Sequence, residues 1–581
     1  MTQNNTTNAQ SPEALGLRSQ YDAIVIGAGV SGLTSAAMLS RAGLSVLVLE
    51  SDARPGGYLA GFRRKDFRFD SAIHWLNQMG PQGLVTRVFD LIGKDHPRAK
   101  QQRLIKRYIT DKHNYLLTDH PDEMKTELIR DFPHERKGIE RFFHHAYKLG
   151  SSFAMLGYTS RTDESMRGLE YGLFMLKKLK FALPFIPHIR FNGPEGVVKG
   201  LKRYFSDPDL LDLFCSEMDI LSCLVPIGWA YHADYQLPPE GGSQVLPEWL
   251  CHVMDSFGND VQFKAQVRRI SLKNNMATGC SFEHRGKMYE VKSDYVLAAC
   301  DVQALYEKML PKEVVPEKMK HKLNQARLYS SSVTLSIALD CPVEELGFGE
   351  EMVYLAETGI SRDEHANGNP HTSDISLLAP SLRDPSLAPA GKGTLTVYVP
   401  AYFQQDDYWH TERSNNGEFI RGEAYKLHKQ EYADILLERI EKRLAPGLRS
   451  HIEYCDIATP ITHWRYTQNR DGSMMGARPG KENYKAGIAH YRTPVKNLIL
   501  GGHWAELGGG VPIAVRAAAN AALLLLQDAK HPAGKLIANY MDGKISLEEA
   551  SQSSHWLPYN EDWQREPTPA EKKAMRREVK P

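Results

Sequence analysis

Cysteine is scarce: Cys215, Cys223, Cys251, Cys280, Cys300, Cys341 and Cys455 are the only seven in 581 residues. They are odd in number and lack metal-ligand spacing, which argues against structural zinc and suits a reducing compartment. Core thiols and no metal site are the expectation. An excess of either charge is also missing, with 71 Lys plus Arg against 70 Asp plus Glu. That balance gives no reason to propose nucleic acid or a polyanionic partner. No uninterrupted apolar run approaches the roughly 20 residues of a membrane helix, so membrane contact is expected to be peripheral at most. Residues 1–20 are polar and lack the basic-then-apolar layout of a secretory signal, which predicts a disordered leader on a cytoplasmic or membrane-associated protein. No Ser/His/Asp or Cys/His constellation suggests nucleophilic catalysis.

What the chain does have is length for two domains and one informative stretch, Tyr21 to Glu50. Ala23 to Ile26 is an apolar run ending at Gly27, Leu44 to Leu49 is another ending at Glu50, and small residues between them read as a helix. This is a β-α-β unit. Gly27 permits the tight turn, Gly29 lets backbone approach a pyrophosphate, and Gly32 lets helix pack on strand. The phosphates then meet the helix N-terminus at Val30 and Ser31, where free N–H groups and the dipole favour negative charge. Glu50 stands where a carboxylate accepts hydrogen bonds from adenosine ribose hydroxyls, and an acid there disfavours a 2′-phosphate. The unit binds a dinucleotide, with NAD and FAD both open at this point.

Directly behind Glu50 runs SDARPGGYLAGF, whose Arg54, Gly56, Gly57 and Tyr58 form a bend able to lie flat against a cofactor. Here the chain resembles the FAD-binding amine-oxidase-like superfamily and, within it, the phytoene desaturase, carotenoid isomerase and retinol saturase group. The next segment, FRRKDFRFDSAIHW, looks like that group's hairpin leading to an aspartate, here Asp70, and to flavin-lining residues, here His74 and Trp75. The resemblance implies an α/β fold: a discontinuous, Rossmann-like, glutathione-reductase-like FAD-binding domain with an inserted α+β substrate domain. The FAD-binding domain is expected over 21–80, 240–310 and 455–530, the substrate domain over 81–239 and 311–454, and a charged surface extension over 531–581.

Several later segments bear on this. Residues 80–240 carry helix-period apolar positions. Within them, Glu170 to Phe191 mixes Phe, Leu and Ile with Lys177, Lys178, Lys180 and Arg190. It reads either as a basic amphipathic patch lying in a membrane interface or as a core helix with a solvated lysine face. Alternation in SSVTLSIAL suggests a sheet with one face toward a pocket. In the family, the valine matching Val267 lies against the adenine. Near the C-terminus, LILGG is a buried strand ending on glycines, and Gly508 to Gly510 open a helix whose N–H groups can face the pyrimidine end of a flavin. A cofactor reaching from Gly27 to Val511 is FAD. Gly502, His503, Gly510 and Val511 complete the cofactor set. Many relatives carry an aspartate where this chain has His503, which leaves the ribityl partner open.

A flavin supplies the redox step, and a conjugated polyene has no ionisable handle, so its enzyme needs an apolar tunnel more than a triad. The expected function is an FAD-dependent oxidoreductase acting on a polyene or isoprenoid lipid by desaturation, saturation or cis-trans isomerisation. The alternatives are an amine- or porphyrinogen-oxidase-type flavoenzyme and a flavin-containing carotenoid-binding factor. From the resemblance, His74 is the candidate for proton transfer beside the flavin, and Arg465 and Glu506 flank the other side and could likewise act.

Overall fold

The computed structural model describes residues 9–155, 160–214, 219–403, 407–414 and 417–578. Its first unit starts from strand β1 (Gln20–Ile26), helix α1 (Val30–Arg41) and strand β2 (Val46–Leu49). Unbroken apolar runs make β1 and β2 strands covered on both faces, and they pair in parallel, Ala23 with Val46 through Ile26 with Leu49. Every residue of α1 from Ser31 to Arg41 is buried, which its small side chains permit. Asp260–Gln262 extends the sheet beyond β2. On the other side, Lys287–Ala298 pairs parallel to β1, and Leu498–Leu500 pairs parallel to Lys287–Ala298. An antiparallel meander through Ala265–Lys273 and Met276–His284 completes the sheet. This is a parallel α/β core whose strands come from three separated regions of the chain.

The second seven-stranded sheet runs Ile452–Ala458, Ser331–Leu339, Gly393–Ala401, Ile375–Leu378, Met352–Leu355, Leu104–Ile109, Asn114–Thr118. It is antiparallel except where Met352–Leu355 meets Leu104–Ile109. Helix Glu423–Arg443 covers one face, packing Tyr432, Leu436 and Ile440 with Leu335, Ile337 and Val397. The alternate residues Ser332, Tyr354, Ser376 and Tyr398 turn to the other side and line a cavity. A helical cluster, including Arg136–Ala154 and Ile220–Tyr231, packs around Phe142, Phe205 and Phe214.

Two terminal expectations are corrected. Residues 1–8 of the expected leader lie outside the described residues, but 9–20 are folded: Gln10 N–H donates to Met288 O at 2.8 Å and Leu17 is buried. The C-terminal segment is a strap rather than a loose surface extension. Helix Ala533–Met541 buries Ile537 and Tyr540, and Trp556 is 2% exposed with its Nε1 donating to Leu91 O at 2.9 Å. Farther on, Thr568 Oγ1 donates to Ser386 O at 2.6 Å, and Lys573 pairs with Asp66. Charged residues dominate the count there, but the interspersed aromatics decide the packing. Boundaries shift as well: the strand beginning at Ile452 belongs to the second sheet, and helix Leu84–Ile92 packs in the core of the first.

Among the described residues one helix, Val511–Asp528, is long and apolar enough to cross a membrane by composition. Ser31 Oγ donates to Ala514 O at 2.9 Å and Ser35 Oγ to Ala518 O at 3.1 Å, so this helix lies parallel against α1 as part of the core.

Candidate functional site

A single cavity of about 2010 Å³ runs between the two units, and its walls include both Gly29 and Gly510. A small-molecule pocket spans roughly 300–1,000 Å³, so the cavity has room for a large cofactor and a second molecule together.

The three glycines of the first turn meet three different steric demands. Gly27 has φ +102°, and a Cβ there would come within 3.0 Å of Ala299 O. At Gly32 a Cβ would lie 1.9 Å from Gly27 O, so only glycine lets α1 approach β1 this closely. A Cβ on Gly29, by contrast, would meet nothing within 4 Å and would fill open cavity instead. Gly29 is the N-cap of α1 and Gly510 the N-cap of Val511–Asp528. Because these helices are parallel and adjacent, both positive ends point into the cavity, a repulsive arrangement that an anionic group relieves. Pro512 lacks an N–H, so Val511 and Ile513 supply the first free donors of that second helix. A pyrophosphate and an electron-rich flavin edge fit these two ends.

Glu50 closes the nucleotide end. Its Oε2 accepts Ala28 N–H at 2.6 Å and its Oε1 accepts Asp52 N–H at 2.8 Å, while burial raises its pKa. Ser51 Oγ also donates to Oε1 at 3.1 Å, and these bonds hold the carboxylate against the turn with a lone pair of Oε2 left for a ribose hydroxyl. Gly56 N–H donates to Ala28 O at 2.8 Å, and Gly57, at φ +56°, faces Gly29. Tyr58 donates its hydroxyl to Ser473 O at 3.1 Å. Gly27, Gly29, Val30, Ser31, Glu50, Gly56, Gly57, Tyr58, Val267, Gly502, His503, Gly510 and Val511 all line the cavity. Gly32 acts behind the wall, as its packing requires. Arg54 is not in the wall; it donates to Gly61 O at 2.6 Å and holds the hairpin.

Of the proton-transfer candidates, His74 and Arg465 part company. His74 lines the cavity, with its ring stacked on Tyr398 at 4.4 Å and its carbonyl accepting from Arg383. Burial, reinforced by the Arg383 charge, pushes its pKa down to about 3, so near neutral pH it is a neutral imidazole and no imidazolium donor. Arg465 is exposed, lies over the Tyr466 ring and is absent from the cavity wall. From helix Pro460–Thr467 it is Trp464, Tyr466 and Thr467 that line the cavity, while His463 is buried behind it. The expectation for Arg465 is therefore not met, because helix phase was set by packing rather than by position in the motif.

Asp301 was not legible as a site residue. It follows strand Lys287–Ala298, caps the next turn through Gln303 and Ala304 N–H, both at 2.9 Å, and accepts Trp504 Nε1–H at 3.2 Å. An acid directly after a buried strand was the only signal available. His503 lines the cavity with its pKa lowered to about 4 by burial, and Gly476 makes its room, since a Cβ there would sit 2.4 Å from His503 Cδ2. Glu506 is committed to Tyr491, whose hydroxyl donates at 2.5 Å, and lies 3.4 Å from Arg516 Nε.

These features are those of an FAD-dependent oxidoreductase. The family model of flavin containing amine oxidoreductase matches residues 30–526, and the chain belongs to that family. Among curated proteins it is 26% identical over 477 residues to prolycopene isomerase 2 of an Oncidium hybrid cultivar, covering 80% of this chain and 76% of that one. It is 25% identical over 526 residues to all-trans-retinol 13,14-reductase of Danio rerio, covering 83% and 82%. A solved putrescine oxidase with bound putrescine matches at TM-score 0.54 and 16% identity over 87% of this chain and 99% of that one, which shows the shared fold. The cofactor is FAD, and the turn at Gly27–Gly32, Glu50 and the helix start at Gly510 are the residues that fit it.

Proposed function

We propose that this protein is an FAD-dependent oxidoreductase acting on a polyene or related isoprenoid lipid by desaturation, saturation or cis-trans isomerisation. One observation carries the reading. From His74 a file of rings leads outward along the cavity wall: His74 to Trp75 at 6.4 Å, then Tyr235 at 5.9 Å, Trp229 at 5.9 Å, Phe153 at 5.6 Å and Phe185 at 5.5 Å. Such a corridor suits a long, flat, unsaturated chain, whereas an amine would gain little from its length. The relatives named for prolycopene isomerisation and retinol reduction support the same substrate class.

The corridor ends at helix Gly168–Ala182 and the turns after it. Leu169, Leu173, Leu176, Leu179, Leu183 and Ile186 are 50–81% exposed there, and Phe174 is the helix's one buried residue. These exposures favour the amphipathic reading of the segment over a core helix. With Lys177, Lys178 and Lys180 exposed beside the leucines, the segment is built to sit in the interface of an anionic bilayer and pass lipid into the cavity.

FAD supplies a hydride-accepting and hydride-donating centre when bound. The chain's own groups position the substrate and exclude water. Neutral His74 stacked on Tyr398 offers a flat polar wall, and buried His463, with Nε2 3.1 Å from Ser332 Oγ, lies near Tyr58. The test is to reduce the flavin-loaded protein anaerobically and offer carotenoid, retinoid and amine substrates while following flavin and polyene absorbance. Flavin reoxidation with loss of a double bond identifies a saturase; cis-trans change with the flavin still reduced identifies an isomerase; a double bond gained on oxidised flavin identifies a desaturase. Turnover of amines with oxygen and none of polyenes refutes the proposal.

A further inference from the structure

We infer that the mouth of the corridor carries a site for the phosphate group of a lipid headgroup, built by His188, Arg190 and Arg203. This rests on the membrane reading above and narrows it: the lysines of helix Gly168–Ala182 respond to surface charge in general, these three residues to one chemical group. The carbonyl of Phe185, the corridor's outermost ring, accepts the His188 N–H at 2.9 Å, so His188 follows it by one turn. His188 lines the cavity and is 3% exposed, yet its Nδ1 is buried with no hydrogen-bond partner, and none is present at Nε2. Three residues on, the ring of Phe191 carries two guanidiniums, with Arg190 Cζ 4.8 Å and Arg203 Cζ 5.2 Å from its centre. Arg203 also donates from Nη1 to Pro187 O at 3.3 Å, which holds it over the same turn as His188. Among the described residues neither arginine pairs with a carboxylate.

The positive charge continues behind these residues. At Gly138 a Cβ would sit 1.9 Å from Tyr204 O, so glycine lets helix Arg136–Ala154 close on Tyr204 and places Arg141 Cζ 5.2 Å from the centre of its ring. His145 of that helix has Nδ1 2.6 Å from the Tyr204 hydroxyl, and its ring centre lies 5.4 Å from that of His188. Burial lowers the His145 pKa, and the charges that add to it, from His144, Lys148, Arg141 and Arg203, are all positive. Burial, reinforced by His145 and Arg203, takes His188 down to about 4, which makes it a neutral ring near pH 7. With no acceptor at Nδ1, its proton sits on Nε2, the nitrogen left to donate to a ligand. Basic groups gathered without an acid repel one another, and a buried imidazole without a partner is a further cost. One bound anion relieves both. Phosphate suits the set, because a guanidinium fork pairs with two of its oxygens and the others take further donors. The surroundings make it a lipid's phosphate: Ile189, between His188 and Arg190, is 44% exposed, and Leu183 and Ile186 are exposed one turn before. A ligand bound here meets guanidinium and bare hydrocarbon together.

The experiment floats the flavin-loaded full chain with phosphate-free vesicles of a neutral diglycosyl diacylglycerol, carrying either phosphatidic acid or a carboxylate lipid to the same zeta potential. The phosphatidic acid vesicles should bind about tenfold tighter. In Arg190→Gln and in Arg203→Gln, both at solvent-exposed positions whose change leaves the fold intact, that preference should fall toward one. His188→Phe, which keeps a ring in the wall and removes the donor, should act in the same direction. Lys177→Gln with Lys178→Gln should weaken both kinds of vesicle alike and keep the preference. Calorimetric titration without vesicles separates the sources of phosphate: dihexanoyl phosphatidic acid should bind at one site and about tenfold tighter than inorganic phosphate. Inorganic phosphate that binds as tightly as the short-chain lipid overturns the headgroup assignment. Equal flotation with the two anionic vesicles, or an unchanged preference in both arginine variants, overturns the inference while leaving the membrane reading intact. Absence of flotation with either vesicle overturns both.

Discussion

The steric reading of the first turn predicts opposite behaviour for two alanine substitutions three residues apart. At Gly32, an added Cβ would lie 1.9 Å from Gly27 O. An ordinary carbon–oxygen contact is about 3.3–3.6 Å, so α1 must retreat by roughly 1.5 Å. Since α1 is buried from Ser31 to Arg41, that retreat breaks packing along its length. Overpacking of this kind costs about 1–3 kcal/mol or more. Gly32→Ala should therefore lower the urea midpoint of the flavin-free protein. At Gly29, φ is −69° and the new methyl meets nothing. Gly29→Ala should cost the flavin-free protein no more than about 1 kcal/mol, the usual N-cap difference. The methyl does occupy the space where backbone must approach the pyrophosphate, and a penalty of about 3 kcal/mol there is about 100-fold in flavin affinity. Comparison in the flavin-free state is essential, because bound flavin itself raises stability by mass action. Titration of each stripped variant with FAD, followed by flavin fluorescence, separates the two effects. A Gly29→Ala protein that takes up FAD with wild-type affinity, or a Gly32→Ala protein as stable as wild type, refutes the reasoning.

Three further outcomes are expected. Burial lowers His463 to about 4 from 6.5, so the folded state keeps it neutral while the unfolded chain protonates, and its contribution is complete above pH 6.5 and lost as pH falls toward 4. The stability difference between wild type and His463→Asn should shrink over that window by up to about 1.4 kcal/mol per pH unit. Asp70 and Asp234, raised to about 6 by burial, act in the opposite sense but are common to both proteins; a pH-independent difference in chemical denaturation sinks this prediction. Leu176→Glu with Leu179→Glu should abolish flotation with anionic vesicles while leaving the fold unchanged, each leucine contributing about 1.5 kcal/mol of interfacial burial, about 100-fold together; retained flotation rejects the membrane face. Trp556→Ala should lower stability by about 3–5 kcal/mol in urea titration, because the indole is buried under the Arg41 guanidinium, 5.4 Å from its ring; a loss below 1 kcal/mol means that the strap is dispensable.

How far the sequence could be read followed from the range of each interaction. Gly27, Gly29 and Gly32 were assignable because their roles are met within one turn of chain, and Glu50 because a strand's end fixes where its carboxylate stands. The alternation in SSVTLSIAL was readable as a sheet with one face on a pocket. Which strands would flank it, and hence that Leu104–Ile109 would join Met352–Leu355, was not, since those partners lie more than 200 residues apart. Arg465 failed for a related reason: its helix could be recognised, but the direction of each face depends on the neighbouring wall. The charged tail misled because composition averages over the few aromatics that anchor it.

By itself, then, the amino-acid order determined a nucleotide-binding β-α-β turn, a second glycine-opened helix and the cofactor that spans them, because turns, caps and strand ends are local events. Only tertiary packing decided that α1 and Val511–Asp528 lie parallel, that rings from four distant segments form one corridor, and that an apolar helix stays uncovered at its mouth. Those outcomes depend on which surfaces remain after the cores are filled, and that sum is taken over the whole chain.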